Sequence, residues 1–365
     1  MGKNSGFVVD LTSEAVYGDS SIMQSSTQII LILIASASPA FAENFDVQFD
    51  QPVMDRWMYP FNSTPGTRSV MSTFGSDRET PTQFDARDGQ ILVAFDIDLV
   101  VPPNAGPDNY NILSAEVTMQ VQNNLVFRYD PTPDAWTTFL PAADSRRTAD
   151  SDLGQPIELF GVGFRGGFSA FNFVEDTLFA NAGSSYLSPS VRNAFAAGVD
   201  AAGMPSDVSN NPRIGLQPKV FATGLINGLA SAALVPEGSV MRFAVDVTDA
   251  GIQNYLRQGV DRGRLFFAVS ALTIVQQQAG DFPAFYSKEN ALVSLGFAQA
   301  PRLRIKIEST PACRSSDLDC SGVIDMGDVV LALLDFGPCE GCPADIDQSG
   351  TVDFGDVVLL LLDFG

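Results

Sequence analysis

Between Glu43 and Glu308 the chain repeatedly alternates apolar and polar residues with period two, the spacing that sends every second side chain to one face of a strand. In ILVAFDID the residues Ile91, Val93, Phe95 and Ile97 share a face, and in SAEVTMQVQ the residues Ala115, Val117, Met119 and Val121 do so. In RLRIKIE, Leu303, Ile305 and Ile307 point inward while Arg302, Arg304 and Lys306 point out. Gly- and Pro-rich connections separate these runs, so the predicted class is mainly β, a jelly roll or β-sandwich. Two helices should interrupt it, one from about Asp249 to Arg257 and a longer Ala-rich one near residues 189–202. The Gly-Phe alternation of ELFGVGFRGGFSAFNF reads as barrel-wall packing or as an exposed aromatic platform.

The pattern changes at the C-terminal end. DLDCSGVIDMGDVVLALLDFG (317–337) recurs as DIDQSGTVDFGDVVLLLLDFG (345–365), identical at fifteen of twenty-one positions with an offset of 28 residues. Each copy opens with oxygen-bearing residues at positions 1, 3, 5, 9 and 12 and Gly at position 6, the spacing that wraps a hard cation such as calcium. In the first copy these are Asp317, Asp319, Ser321, Asp325 and Asp328; in the second, Asp345, Asp347, Ser349, Asp353 and Asp356. Val323 and Thr351 at position 7 would each donate a backbone carbonyl, and Ile324 and Val352 at position 8 would pack one loop on the other. Two calcium sites are therefore expected. The segments entering the loops, STPACRSS and GPCEGCPA, lack helical periodicity, so only the exiting helices should form.

Charge sharpens this picture. The net charge is −22, and from Cys313 onward eleven acidic residues face a single Arg, so nucleic acid is excluded as a partner and a cation is favoured in the tail. The chain has no histidine, which removes Ser-His-Asp triads, Cys-His dyads and His-ligated zinc. Carboxylate-only glycosidase or lyase chemistry survives, with Asp96, Asp98, Glu175 and Asp176 as candidates by proximity to apolar runs. Their alternative is solvated strand-edge or turn carboxylates. The run IILILIASASPAFA (29–42) is too short to span a bilayer and ends in an Ala-x-Ala pattern, so residues 1–42 read as a signal peptide region with Met23 as the start of translation. The mature chain should begin ENFDVQF, carry no membrane span and be secreted or held at the cell surface. All four cysteines lie in the tail: Cys313, Cys320, Cys339 and Cys342 allow three pairings, or a four-thiolate zinc site.

The loop-plus-exiting-helix duplication over 317–365 resembles a type I dockerin. That resemblance implies a small all-α domain that docks onto a cohesin-like partner, with choice of partner governed by Met326-Gly327 and Phe354-Gly355. These are not the small hydroxyl or basic pairs usual in cellulosomes. The order of strand phrases over about 45–308, from GQILVAFDID through YNILSAEV, VDVTDAGIQNYL and YSKEN to PRLRIKI, resembles the DNRLRE-type domain, a jelly roll related to carbohydrate-binding modules. Residues 43–308 then form the body, with an insertion at about 130–235, a linker at 309–316 and the dockerin-like domain at 317–365. The expected function is non-catalytic attachment, the body binding a polysaccharide. Trp57, Tyr59 and Trp136, which read as loop residues near Pro, are candidate sugar platforms. Arg302, Arg304 and Lys306 on one outward face favour an anionic polymer. The alternatives are a glycoside hydrolase or polysaccharide lyase with a docking tail, and a structural surface or matrix protein.

Overall fold

A computed structural model describes residues 43–76, 84–274, 282–310, 316–319, 323–339 and 342–364. The expected signal peptide, Ser321, Cys313 and Cys320 lie outside the described residues. In chain order the strands are β1 (Glu43–Phe49), β2 (Met54–Met58), β3 (Val70–Ser72), β4 (Gln90–Asp96), β5 (Tyr110–Gln120), β6 (Ile157–Phe164), β7 (Ala194–Val199), β8 (Pro205–Asp207), β9 (Ala222–Thr223), β10 (Val240–Ala244), β11 (Arg264–Ala271), β12 (Ala284–Tyr286), β13 (Arg302–Ser309), β14 (Gly337–Pro338) and β15 (Thr351–Val352). The α-helices are α1 (Asn211–Ile214), α2 (Ala250–Asp261), α3 (Ala291–Ser294), α4 (Met326–Leu334) and α5 (Phe354–Leu362).

Two antiparallel sheets form the body, one ordered β1-β13-β5-β10 and the other β2-β4-β11-β6-β7-β8 with β9 added to β6. Their facing residues make one core: Ile91, Val93 and Phe95 of β4 and Leu265 and Phe267 of β11 pack with Val117 and Met119 of β5 and Leu303, Ile305 and Ile307 of β13. The alternating residues predicted to face inward take those places. The fold is thus mainly β, with the layered arrangement of a sandwich.

The larger sheet is buried on its second face as well. Leu92, Ala94, Phe160, Val162, Ala194, Ala196 and Phe266 pack there under Phe173 and Phe179, which arrive from the excursion between β6 and β7. Burial on both faces explains why β4 and β11 read as nearly continuous apolar runs. The segment read as an insertion at 130–235 is built into this sheet, since β6 lies between β11 and β7. Its Gly-Phe alternation is largely wall packing, although Phe171 stays exposed.

The Ala-rich stretch near 189–202 is not a helix but contains strand β7, buried along nearly its whole length. Small side chains are required there: Gly163 lies opposite Phe195 in the ladder, and a Cβ on Gly163 would come within 2.3 Å of that ring. Gly163→Ala should therefore cost about 1–3 kcal/mol in urea denaturation, and a loss below about 0.5 kcal/mol would refute the packing argument. Helix α2 begins where expected, the Asp249 side chain accepting the Ile252 N–H at 3.0 Å, but runs one turn further to Asp261. Ile252, Leu256 and Val260 continue its buried stripe, and Gly259 permits the close approach of Leu265.

In the tail, α4 and α5 pack through Ile324, Val329, Ala332, Val357 and Leu360. The tail is not all-α, because β14 and β15 form a two-residue antiparallel pair. Val352 is buried, and its backbone pairs with Gly337. Cys339 and Cys342 are disulfide-bonded to each other, which withdraws both from a four-thiolate zinc site.

Candidate functional site

The two duplicated loops fold around their position-12 aspartates. Asp328 Oδ1 accepts the N–H groups of Leu318 (2.6 Å) and Asp319 (3.1 Å), and Oδ2 that of Asp325 (2.8 Å). Asp356 repeats this with Ile346 (2.7 Å), Asp347 (3.1 Å) and Asp353 (2.8 Å). Burial pushes the Asp356 carboxyl up, but these backbone donors outweigh it and hold the pKa below the usual value. One carboxylate oxygen each from Asp317, Asp319 and Asp328 lies within 4.8 Å of the others, and the same is true of Asp345, Asp347 and Asp356. Positions 1, 3 and 12 thus converge, and three converging carboxylate oxygens suit a hard divalent cation.

Position 9 behaves differently. Asp325 and Asp353 cap the helices, accepting the N–H of Gly327 and Gly355 at 2.6 Å each. Ser349 at position 5 donates its hydroxyl to the Thr351 carbonyl at 3.0 Å, and its N–H goes to Asp345 and Asp347 at 2.9 Å.

The exiting helices bury one face each, Asp328, Val329 and Ala332 in α4 and Asp356, Val357 and Leu360 in α5. Their other faces expose matching apolar residues: Met326, Val330, Leu333 and Leu334 on α4, and Phe354, Val358, Leu361 and Leu362 on α5. Each set lies 28 residues from its counterpart. Met326 and Phe354, the positions expected to govern partner choice, are 63% and 72% exposed.

In the body, Trp57 lies on β2 rather than on a loop and stacks on Tyr59 with ring centroids 4.7 Å apart. Tyr59 in turn meets Phe61 (5.4 Å) and Phe74 (5.3 Å), and half-exposed Phe61 reaches Phe84. Trp136 has different company, lying beneath the Arg146 guanidinium at 5.4 Å. The three cations of β13 do not form an open basic face. Asp46 of strand β1 pairs with both Arg304 (3.1 Å) and Lys306 (2.9 Å), and Asp50, just past the end of β1, pairs with Arg302 (3.3 Å).

The candidate catalytic carboxylates are dispersed or engaged. Asp96 is ion-paired to Arg264, its partner in the β4–β11 ladder, and Asp98 packs beside Gly263. Glu175 belongs to a cluster with Asp55 and Glu289 around the Lys288 ammonium, and Asp176 is exposed. Sequence reading missed a buried charged group just before β4. Arg192 bonds Asp85 at 2.7 Å, Arg87 bonds Glu158 at 2.6 Å, and all four side chains are nearly inaccessible. The DARD run at 85–88, entering a buried strand, was the available signal.

Asp88 belongs to the same group, and burial pushes its carboxyl up to about 7 against the opposing pull of Arg192. Asp88 also lies near enough to Tyr59 to help burial push that hydroxyl up to about 12. A raised carboxyl pKa contributes stability that is complete below about pH 4 and lost as pH rises through about 7. Asp88→Asn, which stays neutral, should flatten that limb, gaining about 2 kcal/mol near pH 8 and little near pH 4. Parallel pH profiles for the two chains would contradict this.

The chain matches no family model and no curated protein. Among the described residues no helix is long and apolar enough to cross a membrane.

Proposed function

We propose that this is an exported, non-catalytic attachment protein: a polysaccharide-binding β-sandwich whose dockerin-like tail binds two calcium ions and docks onto a cohesin-like or other surface protein. The observation that carries this reading is the pair of matching apolar stripes on α4 and α5, each helix springing from a loop of converged carboxylates. Apolar surface repeated in this way is costly in water unless a partner covers it. Calcium would fix the loops, and the loops set the angle at which each stripe is presented.

The stacked Trp57 and Tyr59 with half-exposed Phe61 support a sugar platform on the body, since pyranose faces pack on aromatic rings. With Arg302, Arg304 and Lys306 neutralised by Asp46 and Asp50, a neutral polymer is favoured over the anionic one that sequence alone suggested. Trp136 takes no part in this platform reading. Retention of the full chain on cellulose, xylan, alginate and pectin tests the assignment. Binding should favour a neutral polymer, change little with salt, and weaken about tenfold in Phe61→Ala or Tyr59→Ala. No retention on any polymer would leave the structural or matrix reading, and release of reducing sugar would replace it with the enzyme reading.

A further inference from the structure

Among the described residues four acidic clusters are close enough to hold an ion, and they differ in what balances their charge. Two are the tail loops. In the third, Asp55, Glu175 and Glu289 surround Lys288, whose ammonium pairs with all of them and fills the role a metal would. The fourth joins Asp130, Asp134 and Asp152 on the connection between β5 and β6, with one carboxylate oxygen from each within 4.8 Å of the others. Among the described residues no ion pair reaches any of these three.

The donors of the fourth cluster are also incomplete. Asp130 is 3% exposed; its Oδ1 accepts the Thr132 N–H (2.9 Å) and hydroxyl (2.7 Å), whereas its Oδ2 is buried with no hydrogen-bond partner. Asp134 Oδ2 and Asp152 Oδ1 are likewise buried and unpartnered. So is Oε1 of Gln155, whose Nε2 donates to Asp150 at 3.3 Å. Leaving buried carboxylate oxygens without donors costs about 1–3 kcal/mol each, more for charged groups. Three carboxylates gathered together add mutual repulsion. A polar residue network built for stability alone would place a donor or a cation there, as the Lys288 cluster does.

We propose that Asp130, Asp134 and Asp152 bind a third divalent cation of the calcium class, and that this ion ties the segment leaving β5 to the segment entering β6 within their long connection. All the donors are oxygens, which excludes a soft metal site. They come from irregular loop backbone, which suits calcium, with its flexible shell of about 6–8 oxygens, better than the strict octahedron of magnesium. Water or backbone carbonyls would complete the shell. The ion would also steady Trp136, two residues beyond Asp134. Trp136 N–H is held by Gln217 Oε1 at 2.8 Å, and Gln217 Nε2 reaches back to the Asp134 carbonyl at 3.2 Å.

The tail contains neither Trp nor Tyr, and the chain has only Trp57 and Trp136, so a luminescent probe separates this site from the tail loops. Terbium, a calcium-sized ion, should show tryptophan-sensitised emission on the full chain, and calcium should quench it by displacement. Trp136→Phe should remove most of the emission while Trp57→Phe leaves it. Asp130→Asn and Asp152→Asn should each weaken terbium binding at least tenfold. Because a buried substitution can disturb folding, the partly exposed Asp134→Asn is measured as well, with its near-UV dichroism checked against the parent. Equilibrium dialysis should then find one calcium fewer per chain in Asp134→Asn while the tail sites still fill. Absence of sensitised emission, emission that follows Trp57, or unchanged affinity in all three Asn variants would overturn the proposal. None of these outcomes depends on whether the tail docks onto a partner.

Discussion

Stripping calcium from the full chain should melt α4 and α5 while leaving the sandwich folded. Each helix has nine residues, shorter than an isolated helix needs to persist in water. Their capping boxes contribute only about 1 kcal/mol each. The shared core of the pair is small, and the two loops bring eight aspartates together with no basic residue beyond Arg314 in the tail. Without a cation the mutual repulsion of these charges favours opening. Far-UV dichroism should lose helical signal with a chelator and regain it with calcium, and calorimetry of Asp134→Asn should count two tail ions. Asp328→Ala or Asp356→Ala should abolish one site each, lowering its affinity by roughly 100-fold or more, because a ligand and the acceptor for three backbone N–H groups go together. Helix content indifferent to calcium would remove the basis of the attachment reading.

The largest loss of stability in the body should follow Arg192→Leu. Arg192 is fully buried, and its guanidinium bonds Asp85 and the carbonyls of Arg87 (3.2 Å) and Asp88 (3.0 Å). Asp85 also accepts the Ser190 N–H (2.8 Å) and the Asn210 amide (2.6 Å). Removing the cation leaves a buried carboxylate with reduced compensation and two carbonyls short of a donor, a situation worth about 3–5 kcal/mol. Burial tends to raise the Asp85 carboxyl, but Arg192 and the other donors hold it below the usual range, so the contribution of the pair is lost as pH falls through that depressed value. Urea denaturation of Arg192→Leu and of the Asp85→Leu/Arg192→Leu pair checks this. The double variant should recover much of the loss, and equal losses in both would mean that shape rather than charge is what Arg192 supplies.

The sequence displayed those features whose logic is local. Alternation at Leu303–Ile307 marked an inward face because the charged face of β13 stays outside the core, the β-branched and aromatic residues of Ile91–Ile97 marked the side of β4 that faces the other sheet, and the tail repeat exposed its own ligand spacing. Where contacts join distant residues, the sequence misled. The alanines of β7 match a helix by propensity, and it is their pairing with β6 and their packing under Phe173 and Phe179 that go with a strand instead. The cations of β13 were recognisable as outward-facing, but Asp46 on β1 and Asp50 just past its end oppose them from more than 250 residues earlier. The Asp130, Asp134 and Asp152 cluster is spread along a loop with no regular spacing, so no motif announced it.

The position of β13 bears on how the molecule would carry load. Glu43 lies opposite Ser309, so the body's first strand begins where its last strand ends. Tension entering from the tail reaches Ser309 and pulls β13 lengthwise between β1 and β5, loading both ladders together in shear instead of opening hydrogen bonds one at a time. The Thr310 N–H, bonded to the Asn109 carbonyl at 2.8 Å, adds a clamp at the point of entry. Tension applied instead between Glu43 and the tail would peel β1 from β13 pair by pair. The same sheet is therefore mechanically strong toward a ligand held on the body and weak toward a pull at its own N-terminal strand.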